Sequence, residues 1–347
     1  MATKTISRGK KSKRASSASK GSARRGGGGN GDGRRGAATA TLASPPEMLR
    51  EQIRERLARA LESDNVELLI SGLVQVARRR PPSEAEAVKA FLFQELLREM
   101  TRGAPARRKL WSWTRLCAAR PETEAREIAC AVLDRFWKER RKDVERLTLN
   151  LARDEHWEVR QYAAGTMARI VCRNFRLNQR YLQRWSRHAD PSVRRQVVMA
   201  TVAIADAEHP ERAKPLLALL EAHLADRDPF IRRNLGPYAL GQGMLAAYPE
   251  ETFEQFREWS ASDDEIVRWN LAMAFTSPVA PLHAERSMEI LRCLACDPRR
   301  FVWSAAALAL RNLVHHQPQR IGPVLKDWME EPPLRVAVAS ALNRSVR

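Results

Sequence analysis

Arginine recurs directly after an aliphatic residue along this chain, and two of these arginines are followed by a second one. The residues are Arg160, Arg194, Arg195, Arg232, Arg233 and Arg268. A guanidinium group is planar and permanently charged, so it binds carboxylate or phosphate through paired hydrogen bonds. Two interpretations are open for the first arginine of each site: a ladder with neighbouring aspartates, or phosphate binding. The second arginine of each doublet, Arg195 or Arg233, fits the ladder less well and is the better phosphate candidate.

Few other residues have the spacing of a chemical site. Cys293 and Cys296 have the spacing of half a zinc site, but no second such pair accompanies them and both lie in a helical apolar pattern. The sequence contains no P-loop, no dinucleotide-binding glycine motif, no HExxH and no GxSxG. We therefore expect no metal and no cofactor, and the common folds for nucleotide, protease and esterase chemistry are excluded.

The chain is strongly basic, with 60 Lys and Arg against 41 Asp and Glu. Residues 1–44 are rich in Gly, Ser, Arg and Lys, and this composition predicts a disordered tail because it cannot bury enough apolar surface. The tail has three interpretations: a solubilising extension, a nonspecific nucleic-acid arm or a transit peptide. No segment has the roughly 18 successive apolar residues of a membrane helix, and five scattered cysteines argue against a disulfide scaffold. We expect a cytoplasmic protein with no membrane partner, associated with the nucleoid if it binds DNA.

The elements that must position the arginines are helices, because apolar residues recur at three- and four-residue spacing from Pro45 onward. A phrase of Asp, an aliphatic anchor and Arg also repeats. The anchors are residues 125, 159, 193, 231, 267, 302 and 334, at intervals of 34, 34, 38, 36, 35 and 32 residues. Asp is a strong N-cap and Pro is tolerated at the first helical position, so each phrase predicts the start of a second helix.

Such helical pairs bury their apolar faces only by stacking on neighbours. The predicted fold is therefore all-α: a HEAT-like helical-repeat α-solenoid. We expect three regions: the disordered tail over residues 1–44, a helical N-terminal capping region over 45–118, and HEAT-like repeats over 119–347. Trp185 and Trp259 each lie eight residues before an anchor and are predicted to be buried between repeats.

Four segments carry a resemblance to a known family. They are RPETEAREIACAVLDRFW, LNLARDEHWEVRQYAAG, LQRWSRHADPSVRRQVV and LADRDPFIRRNLGPYALGQGMLAAYPEETFEQF. From about Leu110 to Phe275 the chain resembles the DNA alkylation repair family of HEAT-like-repeat DNA glycosylases. The resemblance implies a right-handed solenoid whose basic concave face grips duplex DNA and releases cationic alkylated purines without flipping the base into a deep pocket.

The resemblance transfers to single residues only in part. Trp157 matches the family's first Trp, and Arg195 matches its phosphate-contacting Arg. Gln161 stands where the family has Asp, and Pro237-Tyr238 replace the second Trp. A carboxylate would stabilise the oxocarbenium-like sugar left by a departing base, whereas an amide offers only a dipole. Asp154 has two interpretations: a replacement carboxylate near Trp157, or the N-cap of its repeat.

The sequence thus leaves two hypotheses of different classes. The first is a duplex-DNA-binding solenoid related to these glycosylases, with base excision unsettled. Its candidate catalytic residues are Trp157 and Asp154, and its candidate DNA contacts are Arg160, Gln161, Arg194, Arg195, Arg232, Arg233, Tyr238 and Arg268. The second is a noncatalytic scaffold that holds a protein partner in the solenoid groove. The arginines discriminate between them: pairing with Asp190, Asp228 and Asp264 would favour the scaffold.

Overall fold

A computed structural model describes residues 44–343, and every regular element among them is helical. Most of the predicted tail therefore lies outside the described residues. Four helices precede the first anchor: α1 (Glu47–Glu62), α2 (Glu67–Arg79), α3 (Pro82–Glu99) and α4 (Ala104–Ala118). The predicted all-α class is confirmed.

From residue 119 onward the helices form two layers. The helices that carry the anchors pack on one another in sequence, and we call them the second-helix layer: α5 (Thr123–Leu133), α7 (Trp157–Cys172), α9 (Pro191–Ile204), α11 (Pro229–Asn234) with its continuation, α14 (Glu265–Ala274), α16 (Arg300–His316) and α18 (Pro332–Asn343). The other layer, the first-helix layer, contains α6 (Arg141–Leu151), α8 (Phe175–Ser186), α10 (Ala213–Glu221), α13 (Pro249–Ser260), α15 (Ala284–Ala295) and α17 (Pro318–Met329).

Each second helix begins two residues before its anchor, in all seven repeats. The three aspartates that lie three residues before an anchor are N-caps. The Asp190 side chain accepts from the Ser192 amide, and the side chains of Asp228 and Asp264 each accept from two amides of the first turn. Asp caps because its carboxylate satisfies backbone N–H groups that have no partner within the helix. The predicted aspartate caps are therefore confirmed at these three helices, whereas α16, whose phrase begins with Asp297, has Arg299 at its N-cap position.

The core runs through the whole stack, and repeat-equivalent positions contribute to it. The anchors Val159, Val193 and Ile231 are fully buried. Trp185 and Trp259 are buried as predicted, and each indole N–H donates to a glutamate of the preceding first helix, Glu145 and Glu221 respectively. Equivalent repeat positions thus provide both the buried indole rings and the glutamates that accept their N–H groups.

One second helix departs from α geometry. After α11 the chain continues as a π-helix over Leu235–Met244 and ends in α12 (Leu245–Ala247). Pro237 lies inside this segment and has no N–H to donate, which favours a wider turn. Gly236 and Gly241 lie against the backbone of α14 and the loop after it, where a Cβ would collide with the carbonyl oxygens of Asn270 and Ala274. The two glycines therefore let this helix approach α14 closely.

Candidate nucleic-acid interface

Most of the arginines that directly follow an anchor form a structural ladder. Nη1 of Arg160 donates to the carbonyls of Asp154 (2.6 Å) and Glu155 (2.8 Å), the residues six and five positions earlier. Nη1 of Arg194 makes the same pair of bonds, at 3.0 and 2.9 Å. Arg126 repeats the arrangement, and Arg335 donates to the carbonyl six positions before it. These bonds fix the loop that leads into each second helix.

A second set of bonds joins one repeat to the next through the residue five positions before the anchor. Where that residue is Asp, the arginine of the preceding repeat pairs with it: Arg126 with Asp154 (2.6 Å), Arg194 with Asp226 (3.0 Å), Arg268 with Asp297 (2.6 Å). These arginines do not pair with Asp190, Asp228 and Asp264, the partners that would have favoured the scaffold, because those carboxylates cap helices. The ladder itself exists, on different aspartates.

Two arginines of this column have no such carboxylate, because the next repeat has His188 or Ser262 at the corresponding position. Arg160 keeps its two carbonyl partners. The Arg232 guanidinium lies 5.5 Å from the ring centre of Trp269 and 5.9 Å from that of Phe301, and these two rings stack at 5.3 Å. Its buried Nε has no hydrogen-bond partner among residues 44–343. Arg232 is thus held by aromatic faces rather than by an acid.

Trp157 and Gln161 lie on one line of α7, because residues four apart share a helix face. Trp157 is the first residue of the helix, and 46% of its surface is exposed. Exposure of this extent is unusual for so large an apolar side chain. Gln161 is partly exposed, and its side chain makes no hydrogen bond to the described part of the chain. The two residues that match the family's reactive positions are therefore both accessible.

Asp154 lies outside α7 and is engaged on both of its oxygens. Oδ1 accepts from the His156 amide at 2.9 Å and from Arg126 Nη2 at 3.1 Å, and Oδ2 lies 2.6 Å from Arg126 Nε. The N-cap position of α7 is His156, so Asp154 is not the N-cap. It instead joins the loop before α7, through the His156 amide, to Arg126 of the preceding repeat. This geometry gives Asp154 a structural role and does not direct it towards Trp157.

Glu127 is a further carboxylate close to this helix, and it is buried in a network of its own. Glu127 occupies in α5 the position that Gln161 occupies in α7, two residues after the anchor, but it is 1% exposed. Its Oε2 lies 2.7 Å from Nζ of Lys89, which also pairs with Glu86. Burial raises the pKa of Glu127 to about 7, against the opposing effect of Lys89. Glu127 is therefore buried against Lys89 and is not accessible from the surface.

Arg195 and Tyr238 are close to each other across α9 and the π-helix. Arg195 is 7% exposed, and its Nη1 donates to Gln196 Oε1 at 3.4 Å. Burial raises the pKa of Tyr238, and the positive charge of Arg195 opposes that rise. Arg233, in contrast, is exposed. The second arginines of the two doublets therefore differ: Arg195 is buried between helices, and Arg233 lies on the surface.

A group of arginines that the sequence did not predict lies at the other end of α7. Asp134, in the 3-10 turn after α5, is 1% exposed and bonds to Arg169 and Arg173. Its partners are 35 and 39 residues away, so no contiguous motif marks the group. The signal that could have found it is the repeat period itself, which places α5 and α7 side by side.

The helices that carry these residues match a known family. Residues 87–240 match the family model described as DNA alkylation repair enzyme. These residues belong to the DNA alkylation repair family. The matching segment contains Trp157, Gln161, Arg195 and Tyr238, so the predicted resemblance is confirmed where the candidate site lies. Arg268 and the stacked Trp269 and Phe301 lie beyond the segment that matches the DNA alkylation repair family.

Several solved structures are also similar to this relative of the DNA alkylation repair enzymes. The smu.31 protein from Streptococcus mutans UA159 has 11% identity, covers 65% of this chain and 97% of its own, and has a TM-score of 0.42. The Escherichia coli protein YibA has 17% identity, coverage of 78% and 91%, and a TM-score of 0.34. An engineered protein has 17% identity, coverage of 58% and 97%, and a TM-score of 0.29. No curated protein matches this chain.

Two further findings bear on the class of site. Within residues 44–343, no helix is long and apolar enough to cross a membrane. No group of three or more His, Cys, Asp or Glu side chains in the same range is arranged to hold a metal ion.

Proposed function

We propose that this DNA alkylation repair relative binds duplex DNA against its second-helix layer. The observation that supports this proposal concerns the residues two positions after the anchors. From α7 to α16 this column holds no acid: it contains Gln161, Arg195, Arg233, Trp269 and Ser304. Because equivalent positions of stacked second helices face the same side, these residues form one acid-free face. Phosphate binding is favoured where cations are not neutralised by neighbouring carboxylates.

The ladder narrows the set of DNA contacts. Most of the hydrogen bonds from the post-anchor arginines go to loop carbonyls or to aspartates of the next repeat, as for Arg160, Arg194 and Arg268. These arginines are therefore less available to a phosphate. Arg233 is exposed, and Arg195 lies buried near Tyr238 beneath the same face. We assign backbone contact first to Arg233, with Arg195, Tyr238 and Arg232 supporting it. Contacts of this kind fix position on the duplex and carry no sequence information.

Excision of a cationic alkylated purine is the finer proposal, and it centres on Trp157 and Gln161. The exposed indole can approach a base, while Gln161 supplies a dipole where the family supplies a carboxylate. Loss of one electrostatic group of this kind costs on the order of 10²–10³ in rate. Asp154 is held by Arg126 and Glu127 by Lys89, so neither replaces the missing charge. We therefore expect strong binding and slow release of damaged bases.

The scaffold hypothesis also has an observation in its favour. Three post-anchor arginines are paired with carboxylates of the following repeat, which reduces the positive potential of that column. A protein partner would then occupy the groove instead of DNA. The two functions differ in their response to a duplex, so one experiment separates them.

That experiment incubates the full chain with N-methylated duplex DNA and with the same duplex unmethylated. Retention in a gel reports binding, and free methylpurine reports excision above the spontaneous rate. We expect retention of both duplexes and slow release from the methylated one. Retention without release would make the chain a noncatalytic DNA-binding relative. Neither retention nor release would refute DNA binding and favour the scaffold.

A further inference from the structure

Three arginines converge on one buried carboxylate at the C-terminal end of α7. Asp134 is 1% exposed, and its Oδ1 accepts from Nε of Arg169 at 2.9 Å. Its Oδ2 accepts from Nη2 and Nε of Arg173, at 2.7 and 3.2 Å. Nε of Arg135 lies 3.6 Å from the same oxygen. We call these four residues the Asp134 cluster.

The cluster has an excess of positive charge that its own carboxylate does not cancel. Three guanidinium groups share one negative charge, which leaves two formal positive charges within a few ångströms. Like charges at this separation repel one another, and burial of the only counter-charge does not remove that repulsion. The cluster therefore carries a net positive charge, which a bound anion would reduce.

The arginine side chains are also accessible and oriented. Between 37% and 43% of the side-chain surface of Arg135, Arg169 and Arg173 is exposed, while the carboxylate that orients them is buried. Arg169 is fixed further by a 2.8 Å bond from Nη2 to the Cys130 carbonyl. Arg169 and Arg173 are each held through Nε and Nη2, which leaves the N–H groups of Nη1 to bind a phosphate oxygen.

The cluster adjoins the line of residues that carries the candidate site. Gly165 lies four residues after Gln161 on the same face of α7, and a Cβ at Gly165 would come within 3.3 Å of Arg169 Nη1. The Arg169 guanidinium therefore reaches over the helix towards that line. Trp157 and Gln161 begin the line, and the cluster ends it.

We propose that the Asp134 cluster is a phosphate-binding site for the DNA backbone, in which Arg135, Arg169 and Arg173 bind a phosphodiester and Asp134 positions them. This inference rests on the proposed DNA binding, to which it adds a second contact along α7. None of these four residues belongs to the post-anchor columns. The shared chemistry is a tetrahedral phosphate, which a duplex or inorganic phosphate can supply.

The test compares the full chain with Arg135→Gln, with Arg135→Gln/Arg169→Gln, and with Arg146→Gln as a matched control. Arg146 is an exposed arginine on α6, the first helix of the repeat that contains α7, and its partner is Asp143. Affinity for a short duplex is measured at several salt concentrations. Each lost phosphate contact flattens the slope of log K against log salt by about 0.9. We expect about tenfold weaker binding and a slope lower by about 1.8 for the double variant, and no change for Arg146→Gln.

A second measurement keeps the cluster and the proposed function separable. Melting temperatures are recorded in inorganic phosphate and in chloride at equal ionic strength, because a ligand that binds the native state stabilises it. Phosphate should stabilise the wild-type chain and not the double variant. If the wild type binds no duplex but still shows this difference, the site takes free phosphate and the proposed DNA binding fails alone.

Two results would overturn the phosphate site. The first is a folded double variant with unchanged affinity and salt slope, which would leave DNA binding intact and make the cluster structural. The second is a wild type that neither binds duplex nor gains stability from phosphate. Arg135→Gln protects the test if the double variant unfolds, because within residues 44–343 the charged group of Arg135 pairs only with Asp134, at 3.6 Å. An unchanged slope in that variant would equally remove Arg135 from the site.

Discussion

Nε of Arg126 lies 2.6 Å from Oδ2 of Asp154 across two successive repeats. About nine-tenths of both side chains is buried, and each is satisfied by further bonds to loop backbone. A carboxylate held in this way contributes to the stacking of α5 and α7. The residue that sequence alone offered as a catalytic acid is therefore a joint between repeats.

Breaking this joint should destabilise the fold. Removing one partner of a buried ion pair leaves an unpaired charge, at a cost of about 3 kcal/mol. Asp154→Asn and Arg126→Gln should each lower the free energy of unfolding by about that amount, as measured in urea. A double-mutant cycle should give a coupling above about 1 kcal/mol. Additive effects would show that the pair does not join the repeats.

The identity of residue 161 should control base release. Gln161→Asp restores a carboxylate beside the exposed Trp157, and we expect release of methylated purines to rise by about 10²-fold. Trp157→Ala should abolish release while the chain stays folded, because the indole is half exposed. Gln161→Glu is the companion variant, with the charge placed one methylene further out. Full activity of Trp157→Ala would refute the site.

Arg233 should carry a measurable part of the salt dependence of duplex binding. Arg233→Ala removes an exposed cation, so the slope should fall by about 0.9 while affinity drops for all sequences alike. Arg195→Ala should show the same loss and also lower stability, because Arg195 is buried. Arg257, an exposed arginine on α13 that pairs with Glu289, is the control. A slope that Arg233→Ala does not change would remove it from the interface.

Asp297 should make stability depend on acid pH. Hydrogen bonds from Arg299, together with the nearby Arg268, lower the pKa of Asp297 to about 2. The pKa of Asp in unfolded chains is about 3.9, so the folded state is favoured above that value by about 2 kcal/mol. This contribution is lost as pH falls from about 4 towards about 2. The stability gap between the wild type and Asp297→Asn, from denaturation at each pH, should therefore shrink over that window; a constant gap would argue against the ionised pair.

Gly236 and Gly322 should respond to alanine to different extents. A Cβ at Gly236 would lie 2.7 Å from the Asn270 carbonyl oxygen and from Met273 Cβ, so Gly236→Ala should cost about 2 kcal/mol. Gly322 lies inside α17 directly before Pro323, and beyond its own chain neighbours a Cβ there would meet no atom of the described chain within 4 Å. Gly322→Ala should therefore change stability by less than about 1 kcal/mol, because the higher helix propensity of alanine is offset by the clash of its Cβ with the Pro323 ring. Melting temperatures of the two variants test the pair, and a neutral Gly236→Ala would show that α14 can move away.

The sequence by itself determined the helical class, the repeat period and the aspartate-capped starts of α9, α11 and α14. These features depend on neighbours in the chain: Asp caps the amides that follow it, Pro fits the first turn, and apolar spacing defines the buried face. It also identified the family, because the resembling segments are contiguous. The positions of Trp157 and Gln161 on one helix face followed from the same local geometry.

Tertiary structure alone decided which charges remain available. The sequence could not show that Asp154 pairs with Arg126, that Arg194 pairs with Asp226 rather than Asp228, or that Asp134 gathers three arginines. Most of these partners lie about one repeat apart. Within one loop, Asp226 pairs with an arginine of the preceding repeat, whereas Asp228, only two residues later, caps a helix. Ion pairing depends on distances of a few ångströms between side chains, and only the stacking of the repeats sets those distances.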